Sequence, residues 1–215
     1  MRKQFILLPL LTITFLLIIE QVLEITYLWK TVGKVVIFLA VPIYFFKFSK
    51  YQFLYLHTWK GKRNFLAIGL GILVMLTILS AFFILQNFID INSILNDLET
   101  RVGVTSAVFP FVALYILLGN SFLEEFFFRG VLVDLYKESK LKWFLPSFLF
   151  AIYHISIFLP WFDWPILLTA VGGLFVGGLL FQWMNEESGT IYPSWIIHMF
   201  ADIGVLLVGV YLFYF

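Results

Sequence analysis

The chain contains no cysteine, which excludes disulfides, thiolate nucleophiles and cysteine-based metal sites. Any nucleophile is therefore an oxygen, a nitrogen or water. Charge is scarce too. Asp, Glu, Lys and Arg make up 13% of the 215 residues and nearly cancel, to a formal net charge of +1. Nucleic-acid binding needs a basic field that this balance does not supply. No Ser- or Pro-rich linker and no repeat at a fixed period interrupt the sequence, so residues 1–215 are expected to form a single domain.

What fills the chain is apolar: 62% hydrophobic residues, 20% of the total aromatic. That is more non-polar surface than one soluble core of this size can hide, so lipid is expected to cover the rest. A bilayer core calls for roughly 20 apolar residues per helix. The runs of the sequence predict an all-α, polytopic transmembrane bundle of about seven helices, near 5–28, 32–48, 65–89, 107–135, 144–159, 165–184 and 191–215. Met1-Arg2-Lys3 before the apolar stretch Phe5–Ile19 resembles a secretory signal, but no small-residue cleavage site follows before Glu20, so it reads as a retained first helix. With seven spans, ten basic residues (Arg2, Lys3, Lys47, Lys50, Lys60, Lys62, Arg63, Lys137, Lys140 and Lys142) fall on one side, against Lys30, Lys34 and Arg101 on the other. Basic loops stay in the cytoplasm, which predicts a cytoplasmic N-terminus. Trp29, Trp143, Trp161, Trp164 and Trp183 sit near helix ends, where an indole suits the headgroup level. The compact, extension-free chain suggests a bacterial plasma membrane.

Polar residues inside the runs are the candidates for chemistry, because an acidic side chain at a helix centre costs about 3 kcal/mol on insertion scales and is seldom kept without a role. Helix four carries Glu124 and Glu125, with Arg129 one turn on. At i, i+4 the arginine pairs best with Glu125 and leaves Glu124, about 100° round the helix, for another partner. Two of the three histidines lie in apolar helices: His154 in the fifth, and His198, with Asp202 one turn further on the same face, in the seventh. The third, His57, belongs to a basic loop. Pro146 and Pro193 suit the first turns of their helices, which sets His154, His198 and Asp202 roughly 12, 8 and 14 Å in from the same end at 1.5 Å per residue. Gly172, Gly173, Gly177 and Gly178 form a small-residue face that lets helices approach closely, read first as packing within the monomer.

These segments resemble the motifs of the CPBP family, the CAAX proteases and bacteriocin-processing enzymes also called Abi. Glu124-Glu125-Phe126-Phe127-Phe128-Arg129 looks like E-E-x-x-x-R, Phe150 through His154 like F-x-x-x-H, and His198 through Asp202 like H-x-x-x-N/D. The resemblance covers the chain from about residue 107 onward. It implies an intramembrane endopeptidase acting on a hydrophobic or lipidated peptide, of CAAX or bacteriocin and signal-peptide type. In that picture Glu124 with His154 activates water and His198 with Asp202 stabilises the oxyanion. Glu125 and Arg129 support the site. An ionised Asp202 cannot donate a hydrogen bond where relatives carry Asn. Asp202 then either acts protonated as a donor, orients His198, or ligates a metal. No cofactor is favoured; if zinc is used, Glu124, His154, His198 and Asp202 are its expected ligands. The competing function is a non-catalytic scaffold or bacteriocin self-immunity protein of the same family. A proton-coupled transporter, the third class, is disfavoured by the lack of two matching halves with broken helices.

Overall fold

The computed structural model describes residues 11–15, 17–19, 26–46 and 61–215. Most of the first expected helix, and His57 with it, lies outside them. Every long regular element among the described residues is helical, and no strand occurs among them. Helix α1 starts at Tyr27–Val35, widens over Val36–Ala40 into a π turn and continues over Val41–Phe46. Helix α2 is Gly61–Leu85, and α3 is the short Ile91–Asp97, prolonged by a π turn over Leu98–Val102. Helix α4 is composite: Phe109–Leu114, a π stretch Tyr115–Asn120, Ser121–Glu124, a second π stretch Glu125–Val131, and Leu132–Leu135. Helices α5 (Phe144–Phe158), α6 (Trp164–Ser188) and α7 (Tyr192–Tyr214) complete the bundle.

Five stretches are long and apolar enough to cross a bilayer: Tyr27–Tyr44, Arg63–Phe88, Phe109–Leu135, Trp164–Ser188 and Tyr192–Tyr214. Helix α5, at 15 residues, is shorter. Leu73, Phe83, Ile84, Phe111, Leu168 and Val176 turn outward and exposed. For a chain this apolar, lipid is the solvent that suits them. The core gathers on α4, whose Phe126, Phe127 and Phe128 are all buried against Phe38 of α1 and Phe150 and Tyr153 of α5. Helix α7 packs along α2 and α6 against α5. The first of these pairs approaches so closely that a Cβ on Gly204 would lie 3.2 Å from the Met75 carbonyl oxygen.

Two expectations change. Lys30 is expected in the loop before a helix near 32–48 and Lys34 at the start of that helix, both counted on the far side, but α1 begins at Tyr27 and buries both. The helix starts five residues earlier than its apolar run because Lys30 interrupts hydropathy without interrupting helical geometry. Helix α3 was not expected. It is too short and polar to stand out as a run, and it is started by Asp90, whose carboxylate accepts from the Ser93 amide at 3.0 Å, an N-cap bond.

Of the four clustered glycines only Gly178 packs closely. A Cβ there would meet Ser147 Cβ at 2.9 Å, while Gly172, Gly173 and Gly177 have nothing within 4 Å.

Candidate active site

Helix α4 puts Glu124 at the end of the α-helical turn between its two π stretches and Glu125 at the start of the second, a local widening often associated with functional positions. Both carboxylates are buried, Glu124 at 1% exposure and Glu125 at 0%. Their partners separate them. Glu125 Oε1 lies 3.2 Å from Arg129 Nη1, the i, i+4 pair expected from the sequence. The guanidinium sits 3.9 Å from the Phe150 ring centroid and 4.9 Å from that of Phe181, cation–π contacts that offset part of its burial. The same Glu125 Oε1 is 2.8 Å from His198 Nδ1.

Glu124 faces the other way. Its Oε1 accepts from Asn120 Nδ2 at 2.8 Å, one turn back on the same helix. Its Oε2 has no hydrogen-bond partner and is buried. It stands 3.7 Å from His154 Nε2 and 3.8 Å from His198 Nε2. Such distances are too long for direct hydrogen bonds. His154 Nδ1 is 2.8 Å from the Phe150 carbonyl oxygen, which can only accept, so Nδ1 carries the hydrogen and Nε2 of a neutral ring turns its lone pair towards Glu124. On His198 the carboxylate of Glu125 likewise takes the Nδ1 hydrogen.

Asp202 Oδ1 is 3.8 Å from His198 Nε2, beyond hydrogen-bond reach. The hydrogen-bonded carboxylate of His198 is Glu125, the residue whose spacing predicts the pair with Arg129, and not Asp202. Helices α4, α5 and α7 thus bring Glu124, His154, His198 and Asp202 to one point, with Glu125 and Arg129 directly behind. Aromatic rings wall the point: Phe150 lies 4.6 Å from His154 and Phe181 5.7 Å from His198, centroid to centroid. The side chains of His154 and Asp202 keep 13% and 15% exposure against 1% for Glu124, so these two are the members of the cluster nearest the surface.

Sequence reasoning missed two members. Asn120 stood in the motif-bearing helix without a role, and Lys34 of α1 donates to Asn120 Oδ1 at 3.0 Å. The i, i+4 spacing of Asn120 and Glu124 was a usable signal; nothing in the sequence tied Lys34 to either. Among the described residues no three His, Asp or Glu side chains are set in a metal-binding arrangement; the donor set itself, two imidazoles and two carboxylates, is of the kind that holds zinc. The unpartnered Glu124 Oε2 between two imidazole nitrogens also suits a water-sized polar guest.

Residues 106–204 match the family described as type II CAAX prenyl endopeptidase Rce1-like. This span contains every motif residue named above and supports the resemblance to the CPBP family. No curated protein and no solved structure matches the chain.

Proposed function

We propose, from the membership of the motif-bearing segment in the Rce1-like type II CAAX prenyl endopeptidases, that this integral membrane protein hydrolyses a peptide bond in a lipidated or otherwise hydrophobic tail, with Glu124 as general base. The observation that carries the reading is the free Glu124 Oε2 facing the Nε2 atoms of both histidines at 3.7 and 3.8 Å. A water in that gap would donate one hydrogen to Glu124 and the other to the His154 lone pair. Glu124 takes a proton as the water oxygen attacks the scissile carbonyl carbon. The C–N bond then breaks, and Glu124 returns the proton to the departing amine.

The developing oxyanion needs donors. As an imidazolium, His198 supplies one from Nε2 while its Nδ1–H donates to Glu125. A protonated Asp202 supplies a second. Arg129 neutralises Glu125 and does not touch the substrate in this scheme. The aromatic walls exclude bulk water, which strengthens each of these interactions, and they suit the acyl or prenyl portion of an amphiphilic substrate. The scheme routes no step through a metal.

The test is cleavage of a farnesylated fluorogenic CAAX peptide by detergent-purified wild type and Glu124→Gln, with metal content measured on the same samples. Wild-type cleavage that resists chelators and falls by about a hundredfold or more in the variant, the scale of a lost general base, supports the reading. Stoichiometric zinc that tracks activity would make the same residues ligands. A folded wild type that cleaves neither farnesylated nor unlipidated peptides would overturn proteolysis and leave a scaffold or immunity role.

A further inference from the structure

Lys34 is 8% exposed in the middle of a helix long and apolar enough to span a bilayer. A cation at such a depth is costly to insert and is normally found facing a partner or a functional cavity. Its helix face explains how it arrives. Tyr27, Lys34 and Phe38, at i, i+7 and i+11, line one side of α1. The aromatic pair seats that side on α4, Tyr27 against Tyr115 at 6.0 Å and Phe38 stacked on Phe127 at 4.7 Å. Between these two contacts Lys34 Nζ reaches Asn120 Oδ1 at 3.0 Å and comes within 3.9 Å of Glu124 Oε1.

We propose that Lys34 is a positioning residue for Glu124 that acts through the side-chain amide of Asn120. The inference rests on the proteolytic reading for its consequence and on these contacts for its basis. An ammonium group only donates, so the atom of Asn120 that faces it must be the oxygen. The amide nitrogen is thereby turned to Glu124 Oε1, which it meets at 2.8 Å. One carboxylate oxygen is pinned, and the other is left free towards His154 and His198. A charged donor on the amide oxygen also strengthens the amide N–H as a donor at its far end. Without Lys34 nothing else described at that oxygen dictates the amide's sense. A reversed amide would set Oδ1 against Glu124 Oε1, two acceptors in contact, and turn the carboxylate away from the imidazoles.

The cation also balances charge. Glu124, Glu125 and Asp202 meet in one buried cluster, and Arg129 is taken up by Glu125. Lys34 lies outside residues 106–204, the segment with a family match, so α1 completes a site that the matched segment holds only in part.

The experiment uses full-length protein in detergent and the farnesylated fluorogenic peptide. Lys34→Met and Asn120→Ala should each lower kcat by about ten- to a hundredfold, the scale on which outer partners of catalytic groups act, with KM unchanged. The double variant should fall no further, because both changes cut one relay. Lys34→Arg should restore most of the turnover. Wild-type kcat in a folded Lys34→Met protein, or losses that multiply in the double variant, would overturn the proposal. If Lys34→Met does not fold, Lys34→Gln is read in its place. A second readout does not need turnover. In protein labelled with 15N-histidine, the Nε2 resonances of His154 and His198 should move alike in Lys34→Met and Asn120→Ala. Unmoved resonances would overturn the positioning role even if the wild type cleaves nothing, whereas moved resonances without cleavage would sink the proteolytic reading alone.

Discussion

His198 Nδ1 and Glu125 Oε1 stand 2.8 Å apart across the interface of α7 and α4, and the same carboxylate oxygen holds Arg129 Nη1 at 3.2 Å. Glu125 is thus a hinge of the buried network, with one arm on a charge and one on an imidazole. Truncation to Ala strands the guanidinium and frees the ring. Removing one partner of a buried ion pair costs about 3–5 kcal/mol, so Glu125→Ala should unfold at a markedly lower temperature and lose cleavage. Glu125→Gln keeps an acceptor for the Nδ1 hydrogen and only loses the charge. It should lie between the two in thermal melts and retain more turnover than the alanine variant; equal melting temperatures for wild type and Glu125→Ala would contradict the pairing.

Asp202 is a different case, since its 3.8 Å separation from His198 Nε2 leaves no hydrogen bond to lose. If it acts as a donor to the oxyanion, an amide of the same shape does the work without needing a proton. Asp202→Asn is expected to keep most of the wild-type kcat, while Asp202→Ala should lose about a hundredfold, the scale of one oxyanion donor. Steady-state kinetics on the fluorogenic peptide separate the two. Equal, large losses in both variants would assign Asp202 to a role that needs its negative charge.

Most of the site could be read from the sequence because its members are expensive where they stand. Glu124, Glu125, His154, His198 and Asp202 interrupt apolar helices, and the spacing from Glu125 to Arg129 encodes a local pair that the structure contains. The i, i+4 rule sees contacts within one helix. It cannot see that Glu125 also reaches His198, 73 residues away, or that Lys34 meets Asn120 across 86 residues. Lys34 is further disguised because a lysine near the start of an apolar run is counted with the flanking loop in an orientation argument, whatever face it occupies. Helix α3 escaped for the opposite reason, being held by a cap and side-chain contacts instead of an apolar stripe.

Gly178 fixes how closely α6 approaches α5 and the Arg129 head. A Cβ on it would lie 2.9 Å from Ser147 Cβ, 3.1 Å from Ser147 Cα and 3.1 Å from Arg129 Nη2. The Ser147 backbone atom cannot swing aside as a side-chain tip would. Gly178→Val is expected to cost about 1–3 kcal/mol, as overpacking does, and to disturb cleavage through Arg129. Gly173→Ala has open space before it and should stay within about 0.5 kcal/mol of wild type. Paired thermal melts of the two variants check this, and a Gly173→Ala protein as impaired as Gly178→Val would mean that the whole glycine face packs against something.

Outside the spans, Asp97 ties α3 to the turn between α5 and α6. Its carboxylate accepts from Arg101 Nε at 2.5 Å and Nη2 at 2.7 Å, and from Trp161 Nε1 at 2.7 Å. The Arg101 hydrogen bonds hold the carboxyl below its ordinary value of 3.8, against the opposing effect of partial burial. A carboxyl depressed in the folded state favours folding at every pH above its unfolded value, and that contribution is lost as pH falls through the lower folded value. The Trp161 contact should therefore persist through neutral and mildly acidic pH and release only below pH 3.8. Trp161 emission, isolated by replacing the other tryptophans with Phe, should shift in that acid range in the parent protein. In Asp97→Asn the shift should be absent. A transition centred near pH 6 would point to a histidine and sever the link to Asp97.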